Sequence, residues 1–263
     1  MKAMIFAAGL GTRLRPLTDS CPKALMSING LPLLELVIRR LERAGVREII
    51  INAHHFADRI VEFVHQRKSS ATALHVSDER DLLRDTGGGL KHAAQFFNDN
   101  TPFFAHNVDV ISDVDLSALY RYHCAQPDAL ATLCVLDRPS SRKLLFDASG
   151  ALCGWEHRGR GEQKISRMPA DGIWRAFAFS GIHVISPELF MYMPEQPVFS
   201  IIDVYLSAAS TRRILAYQHD QENWFDIGTS ERLAQAAQYV HHEEKPDITG
   251  DAASEPDSSE QKC

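Results

Sequence analysis

The chain has 263 residues, 44% of them hydrophobic, enough to bury the core of one large α/β domain or of a domain with a small insertion. Its formal charge is -6, and residues 241–263 hold seven acids against two lysines, so the rest is close to neutral. A broad basic surface for nucleic acid is therefore not supported.

Taken in order, Lys2–Ala8 reads as a buried strand and Leu33–Ala44 as an amphipathic helix that Gly45 ends. Strands follow over Glu48–Asn52, Ala73–Ser77 and Pro102–Asn107, with helices over Phe56–Gln66 and Gly88–Phe97 between them. Such alternation predicts a mostly parallel sheet covered by helices on both faces, a Rossmann-like three-layer α/β sandwich. The second half is less regular. Ala129–Val135, Lys143–Phe146, Ala151–Trp155, Ala176–Ile185 and Arg213–Gln218 read as strands, Val198–Ala209 and Ser230–Val240 as helices, and His157–Asp171 as a charged, mobile loop. This predicts one domain over residues 1–240. From 241 to 263 the chain is rich in Glu, Asp, Ser and Pro and reads as a disordered acidic tail.

Five cysteines (Cys21, Cys124, Cys134, Cys153 and Cys263) form no Cys-x-x-Cys pair, which argues against a disulfide framework or a zinc site and suits a reducing cytoplasm. No leader pattern and no apolar run of spanning length is present, so no membrane partner is expected. Nothing in the sequence sets an oligomeric state.

The most informative stretch is Ala7-Ala8-Gly9-Leu10-Gly11-Thr12-Arg13-Leu14-Arg15-Pro16-Leu17-Thr18, followed by Asp19-Ser20-Cys21-Pro22-Lys23. Two glycines after an apolar strand let a backbone pass close to a polyphosphate, and Arg13 and Lys23 are cations of the right reach. The third glycine of a dinucleotide fingerprint and the Gly-Lys-Ser/Thr of an NTPase loop are both missing. In sheets of this kind ligands bind beyond the carboxyl ends of the strands, where this loop and Asp109 both fall. A carboxylate there suits Mg²⁺ held against phosphates. Asp113 and Asp115 read instead as helix-start residues.

Taken whole, Gly-x-Gly-Thr-Arg-Leu-x-Pro-x-Thr-x-x-x-Pro-Lys resembles the signature of sugar-1-phosphate nucleotidyltransferases, the enzymes that make nucleotide sugars. The resemblance implies the nucleotide-diphospho-sugar transferase fold and an NTP and a sugar 1-phosphate as partners. Mg²⁺ would be held by Asp109 and by Asp226, the latter in Trp224-Phe225-Asp226-Ile227-Gly228-Thr229. It assigns Arg13 and Lys23 to catalysis, and Ala8, Gly9, Gly11, Thr12, Arg13 and Gly88 to the nucleotide. Val108 stands where the family usually has glycine before the aspartate. Ser180 and Gly181, in a strand, and Asn107 are the candidate sugar contacts, with Trp155, Glu156 and Lys164 bordering the same pocket. Asp85-Thr86-Gly87-Gly88-Gly89 most resembles N-acetylmuramate-1-phosphate uridylyltransferases of peptidoglycan recycling. Transfer of guanylate to mannose- or heptose-1-phosphate, a phosphocholine cytidylyltransferase, and a catalytically silent nucleotide-sugar-binding regulator are the alternatives.

Overall fold

The computed structural model describes residues 1–67, 71–220 and 222–243. The predicted acidic tail lies outside the described residues except at its start, which continues the last helix. In chain order the first strand is β1 (Lys2–Phe6), and after the Gly9–Lys23 loop comes a short antiparallel pair, β2 (Ser27–Ile28) and β3 (Leu31–Pro32). There follow α1 (Leu33–Arg43), β4 (Glu48–Ala53), α2 (Ala57–Gln66), β5 (Ala73–Asp78), α3 (Asp85–His92), β6 (Phe103–Asn107), β7 (Val110–Ser112) and α4 (Leu116–Cys124). The second half comprises β8 (Ala129–Leu136), β9 (Arg142–Phe146), β10 (Leu152–His157), β11 (Glu162–Ile165), β12 (Arg175–Ile185), α5 (Ile201–Ala208), β13 (Arg213–Gln218), β14 (Trp224–Asp226) and α6 (Ser230–Glu243).

The core strands β5, β4, β1 and β6 lie side by side and parallel. The inner strands β1, β4 and β6 are buried, mainly apolar runs because helices cover both faces, whereas β5, at the edge, is part-exposed. Met4, Phe6 and Ile50 face one core, shared with Phe97, Phe103 and Tyr205, while Ala3, Ile5, Ile49 and Ile51 face another, shared with Val37, Ile38 and Leu41 of α1. This is the three-layer arrangement the alternation predicts. Strand β12 then joins β6 antiparallel over Ile182–Ile185; it pairs with β9 over Arg175–Phe177 and with β8 on either side of a register break between Phe179 and His183. No helix among the described residues is long and apolar enough to cross a membrane.

Two of the predicted elements differ from expectation. The predicted loop over His157–Asp171 contains β11, which pairs antiparallel with β10 as a hairpin and is wholly exposed. The reason is positional: an edge strand with both faces in solvent needs no apolar alternation. The helix expected over Gly88–Phe97 starts earlier, at Asp85, and its three glycines lie inside it.

Candidate functional site

Along the parallel strands the chain runs from β1 to β4 and β5 on one side, then to β6 on the other side of β1. The crevice beyond β1 and β6 is therefore the point where strand order reverses, the usual ligand position in such sheets. A cavity of about 560 Å³ opens there, lined by Ala8, Gly9, Gly11, Thr12, Arg13 and Lys23 of the loop, by Asn52, and by Asn107, Val108 and Asp109 after β6. Leu83, Asp85, Thr86 and Val198 form its far wall.

The loop is held at three points. Leu14 is buried among Met26, Ile28, Leu33 and Ile227. Thr18 Oγ1 donates to the Gly11 carbonyl at 2.9 Å. Gly11 has φ of +63°, and a Cβ there would stand 2.9 Å from Thr18 Cγ2 and 3.2 Å from Lys23 Cβ. Only glycine meets both demands, the left-handed backbone and the close approach. Gly9, by contrast, has nothing within 4 Å of a Cβ position and leaves the cavity floor open.

Asn52, at the carboxyl end of β4, is 2% exposed, and its Oδ1 accepts from Ala7 N at 2.7 Å and Ala8 N at 3.3 Å. Its Nδ2 donates to Glu79 Oε1 at 2.9 Å. Burial raises the Glu79 carboxyl above the ordinary range, an effect the Asn52 hydrogen bond opposes. Asn52 thus fixes the start of the loop. It is the residue that sequence reasoning passed over; a polar residue ending a buried strand beside the first one was the available signal.

The buried ammonium of Lys23 is paired with the Asp109 carboxylate. Asp226 is brought to the same place by β14, which pairs antiparallel with β7 so that Asp226 lies opposite Val110. Ile227 N donates to the Asp109 carbonyl at 2.8 Å, locking the two segments together. Asp226 Oδ1 is buried with no hydrogen-bond partner among the described residues. The Arg13 guanidinium packs over Gly228, its Nη1 standing 2.9 Å from where a Cβ would be. Arg13 borders both this cavity and a second one, of about 680 Å³, that also contains Asp226.

The second cavity is lined further by Arg138, Ser140, Arg142, Lys143, Leu144, Trp155, His157, Phe179 and Ile202. The Arg138 guanidinium lies 4.3 Å from the Trp224 ring centroid. Burial lowers its pKa from the usual value, and the neighbouring Asp226 works against that shift.

Three expected contacts fall elsewhere. Ser180 is fully buried and its Oγ lies 2.6 Å from His219 Nε2, so its side chain faces the core and not a sugar. Gly181, at φ of +77°, is buried too, and a Cβ there would stand 2.7 Å from Asn107 Nδ2; the close approach it permits is that of Asn107. Gly88 is buried in α3 with its Cβ position 2.1 Å from the Pro197 carbonyl oxygen, so it serves packing and does not line the cavity. Asn107 does line the first cavity. Trp155 lines the second cavity, while Glu156 pairs with Arg158 at 2.6 Å and Lys164 with Asp203 at 2.8 Å. Val108, in place of the expected glycine, turns its side chain largely into the core against α1 and is 5% exposed. Asp115 caps α4 by accepting from Ala118 N at 2.9 Å, as a helix-start residue should.

Comparison with known proteins identifies the family. N-acetylmuramate alpha-1-phosphate uridylyltransferase of Caulobacter vibrioides is 29% identical over 245 residues, covering 89% of this chain and 97% of the relative. The enzyme of the same name from Neisseria meningitidis is also 29% identical, over 90% of this chain and 96% of the relative. The solved UDP-glucose pyrophosphorylase of Acinetobacter baumanii superposes with a TM-score of 0.75 over 93% of this chain and 94% of that one; at 18% identity it speaks for the fold alone. The family model described as nucleotidyl transferase matches residues 2–144, which include β1, the Gly9–Lys23 loop and Asp109, and the chain belongs to that family.

Proposed function

We propose that this protein transfers a uridylyl group from UTP to N-acetylmuramate 1-phosphate, releasing pyrophosphate and forming a nucleotide sugar of peptidoglycan recycling. The coarser statement, nucleotidyl transfer from an NTP to a sugar 1-phosphate, rests on the family and on relatives that cover nearly the whole chain. The choice of base and sugar rests on the two N-acetylmuramate relatives. The observation that carries the reading is the meeting of Arg13, Lys23, Asp109 and Asp226 where the two cavities join.

A nucleotide in the first cavity and a sugar in the second place the α-phosphorus and the attacking phosphate oxygen at that junction. The reaction is in line: a new P–O bond forms to the sugar phosphate, the bond to the bridging oxygen of pyrophosphate breaks, and no covalent enzyme intermediate is needed. Its catalysis comes from positioning and charge neutralisation. In this reading the loop backbone and Arg13 hold the phosphates that leave, with the Arg13 fork aimed by its seat on Gly228. Lys23, buried against Asp109, is a fixed positive charge beside the transferring phosphate.

The two aspartates fit a divalent cation. Asp226 presents a buried oxygen with no hydrogen-bond partner among the described residues, and Asp109, paired with Lys23, would turn part of its carboxylate to the ion. Among the described residues no cluster of three or more His, Cys, Asp or Glu is placed to hold a metal by itself, so Mg²⁺ would have to take its other ligands from phosphates and water. When bound, Mg²⁺ supplies neutralisation of charge on the phosphate oxygens. The free cysteines at 21, 124, 134 and 153 suit a cytoplasmic location.

The test is pyrophosphate release across UTP, GTP, CTP, dTTP and ATP, each with N-acetylmuramate-, glucose-, mannose- and heptose-1-phosphate and phosphocholine. A single strong pair, UTP with N-acetylmuramate 1-phosphate, is expected. GTP with a mannose or heptose phosphate as the best pair would overturn the choice of base and sugar, and silence across the panel would overturn the activity.

A further inference from the structure

The second cavity carries more positive charge than the phosphate of an otherwise uncharged sugar requires. Four cationic side chains line it, Arg13, Arg138, Arg142 and Lys143, against the single carboxylate of Asp226. Lys143 is neutralised from outside by Asp137 at 3.1 Å. Arg13 and Asp226 sit at the junction with the nucleotide cavity, where the sugar's own phosphate would lie. Arg138 stacks on Trp224 beside Asp226, so the charge left without such an assignment is that of Arg142.

The position of Arg142 within the cavity follows from strand register. In the antiparallel pair of β9 and β10, Arg142 lies opposite His157 and Leu144 opposite Trp155. Directly opposed residues share a face, and so do alternate residues along a strand, so these four form one continuous strip. Arg142, Trp155, His157 and Ile202 are also shared with an adjoining cavity of about 210 Å³ that contains neither Arg13 nor Asp226. That places Arg142 and His157 at the end of the sugar cavity distant from the phosphates.

Neither group is satisfied by the protein. The Arg142 guanidinium makes no hydrogen bond or ion pair among the described residues, and the adjoining glutamates are engaged elsewhere, Glu156 with Arg158 and Glu162 with Arg160. His157 Nδ1 is buried with no hydrogen-bond partner among the described residues. Beside them, Leu144, Trp155, Phe179 and Ile202 supply an apolar wall. A planar guanidinium fork next to an unpartnered ring nitrogen matches a carboxylate, and the apolar wall matches the carbon atoms that would carry it.

We infer that Arg142, with His157 beside it, selects sugar 1-phosphates that bear a carboxylate-containing substituent. This rests on the sugar lying in the second cavity, as proposed above. It gives the chain its own physical reason to prefer N-acetylmuramate, whose lactyl ether ends in a carboxylate, over N-acetylglucosamine, which differs only in lacking that ether.

The experiment compares UTP-dependent pyrophosphate release with N-acetylmuramate 1-phosphate, N-acetylglucosamine 1-phosphate and N-acetylglucosamine 1,6-bisphosphate for the wild type, Arg142→Gln and Arg142→Lys. Loss of one charged contact predicts that Arg142→Gln lowers kcat/KM for the muramate acceptor about 10- to 100-fold, mainly through KM, and changes the glucosamine acceptor less than about threefold. Arg142→Lys recovers part of the loss. An equal loss on both acceptors, or none on either, would overturn the inference, and so would a preference for the bisphosphate over the muramate. If the wild type releases no pyrophosphate with any acceptor, the proposed activity fails separately. Calorimetry with the acceptors alone then decides the inference: tighter binding of the muramate, weakened by Arg142→Gln, supports it, and equal binding of the muramate and the glucosamine sinks it.

Discussion

Replacing Gly228 by alanine is a small change with a directed consequence. Gly228 is not held at a positive φ, so alanine is compatible with its backbone. A Cβ would stand 2.9 Å from Arg13 Nη1, 3.1 Å from Cζ and 3.2 Å from Nη2, whereas ordinary contact begins near 3.4 Å. The guanidinium must therefore move by about half an ångström or turn away, and because it is the free end of a long side chain it can do so without disturbing the core. Stability should change by less than about 1 kcal/mol. Activity should not be so tolerant. A displaced phosphate-binding arginine loses a charged hydrogen bond worth about 1.5–3 kcal/mol, which corresponds to a fall in kcat/KM of about 10- to 100-fold. Thermal unfolding and continuous pyrophosphate release, measured on the same preparation, separate the two effects. Turnover within twofold of wild type, at unchanged Tm, would refute the placement of Arg13 at the leaving phosphates.

Acid should destabilise the fold well above the pH at which carboxylates protonate. Burial pushes His106 and His183 down to about 3 and His123 to about 4, so all three stay neutral in the folded chain at pH 5. The unfolded chain takes those protons near pH 6.5, so the stabilisation is complete above that value and is lost as pH falls from 6.5 towards 3–4. At pH 5 the loss is about 2 kcal/mol per histidine. The urea midpoint should therefore fall steeply between pH 7.5 and pH 5, and equal midpoints would contradict the burial of these rings. Gly88→Ala should behave in the opposite way to Gly228→Ala. Its Cβ would meet the Pro197 carbonyl at 2.1 Å, a backbone atom that cannot step aside. Overpacking of this kind costs about 1–3 kcal/mol, so Tm should drop; a variant with normal Tm but impaired nucleotide binding would restore Gly88 to the nucleotide site.

What the sequence made legible was set by local signals. The apolar runs of β1, β4 and β6 and the amphipathic faces of α1 and α2 carry their periodicity in contiguous residues. The Gly9–Lys23 loop is likewise one segment, and its position beyond β1 follows directly. Elements whose stability comes from a distant partner were not visible. β7 and β14 are three residues each and exist because they pair with each other across more than 100 residues, which is what carries Asp226 to Asp109. Asn52 has meaning only once β4 lies beside β1. The glycines misled in one consistent way. A Gly-rich helix start and a glycine inside a strand both signal a close approach, but the approaching group is the 197–201 segment at Gly87 and Gly88 and the Asn107 amide at Gly181. Sequence alone reports that something comes near, and only the fold says what.

The central claim is that uridylyl transfer takes place at the junction that Asp109 and Asp226 define. Its most direct measurement is the identity and amount of nucleotide sugar formed from UTP, N-acetylmuramate 1-phosphate and Mg²⁺ by the wild type, Asp109→Asn and Asp226→Asn, each shown to be folded by circular dichroism. The account predicts UDP-N-acetylmuramate from the wild type and at least about a hundredfold less from either variant. Product formed at wild-type rate by both variants, or none formed by the folded wild type, would contradict it.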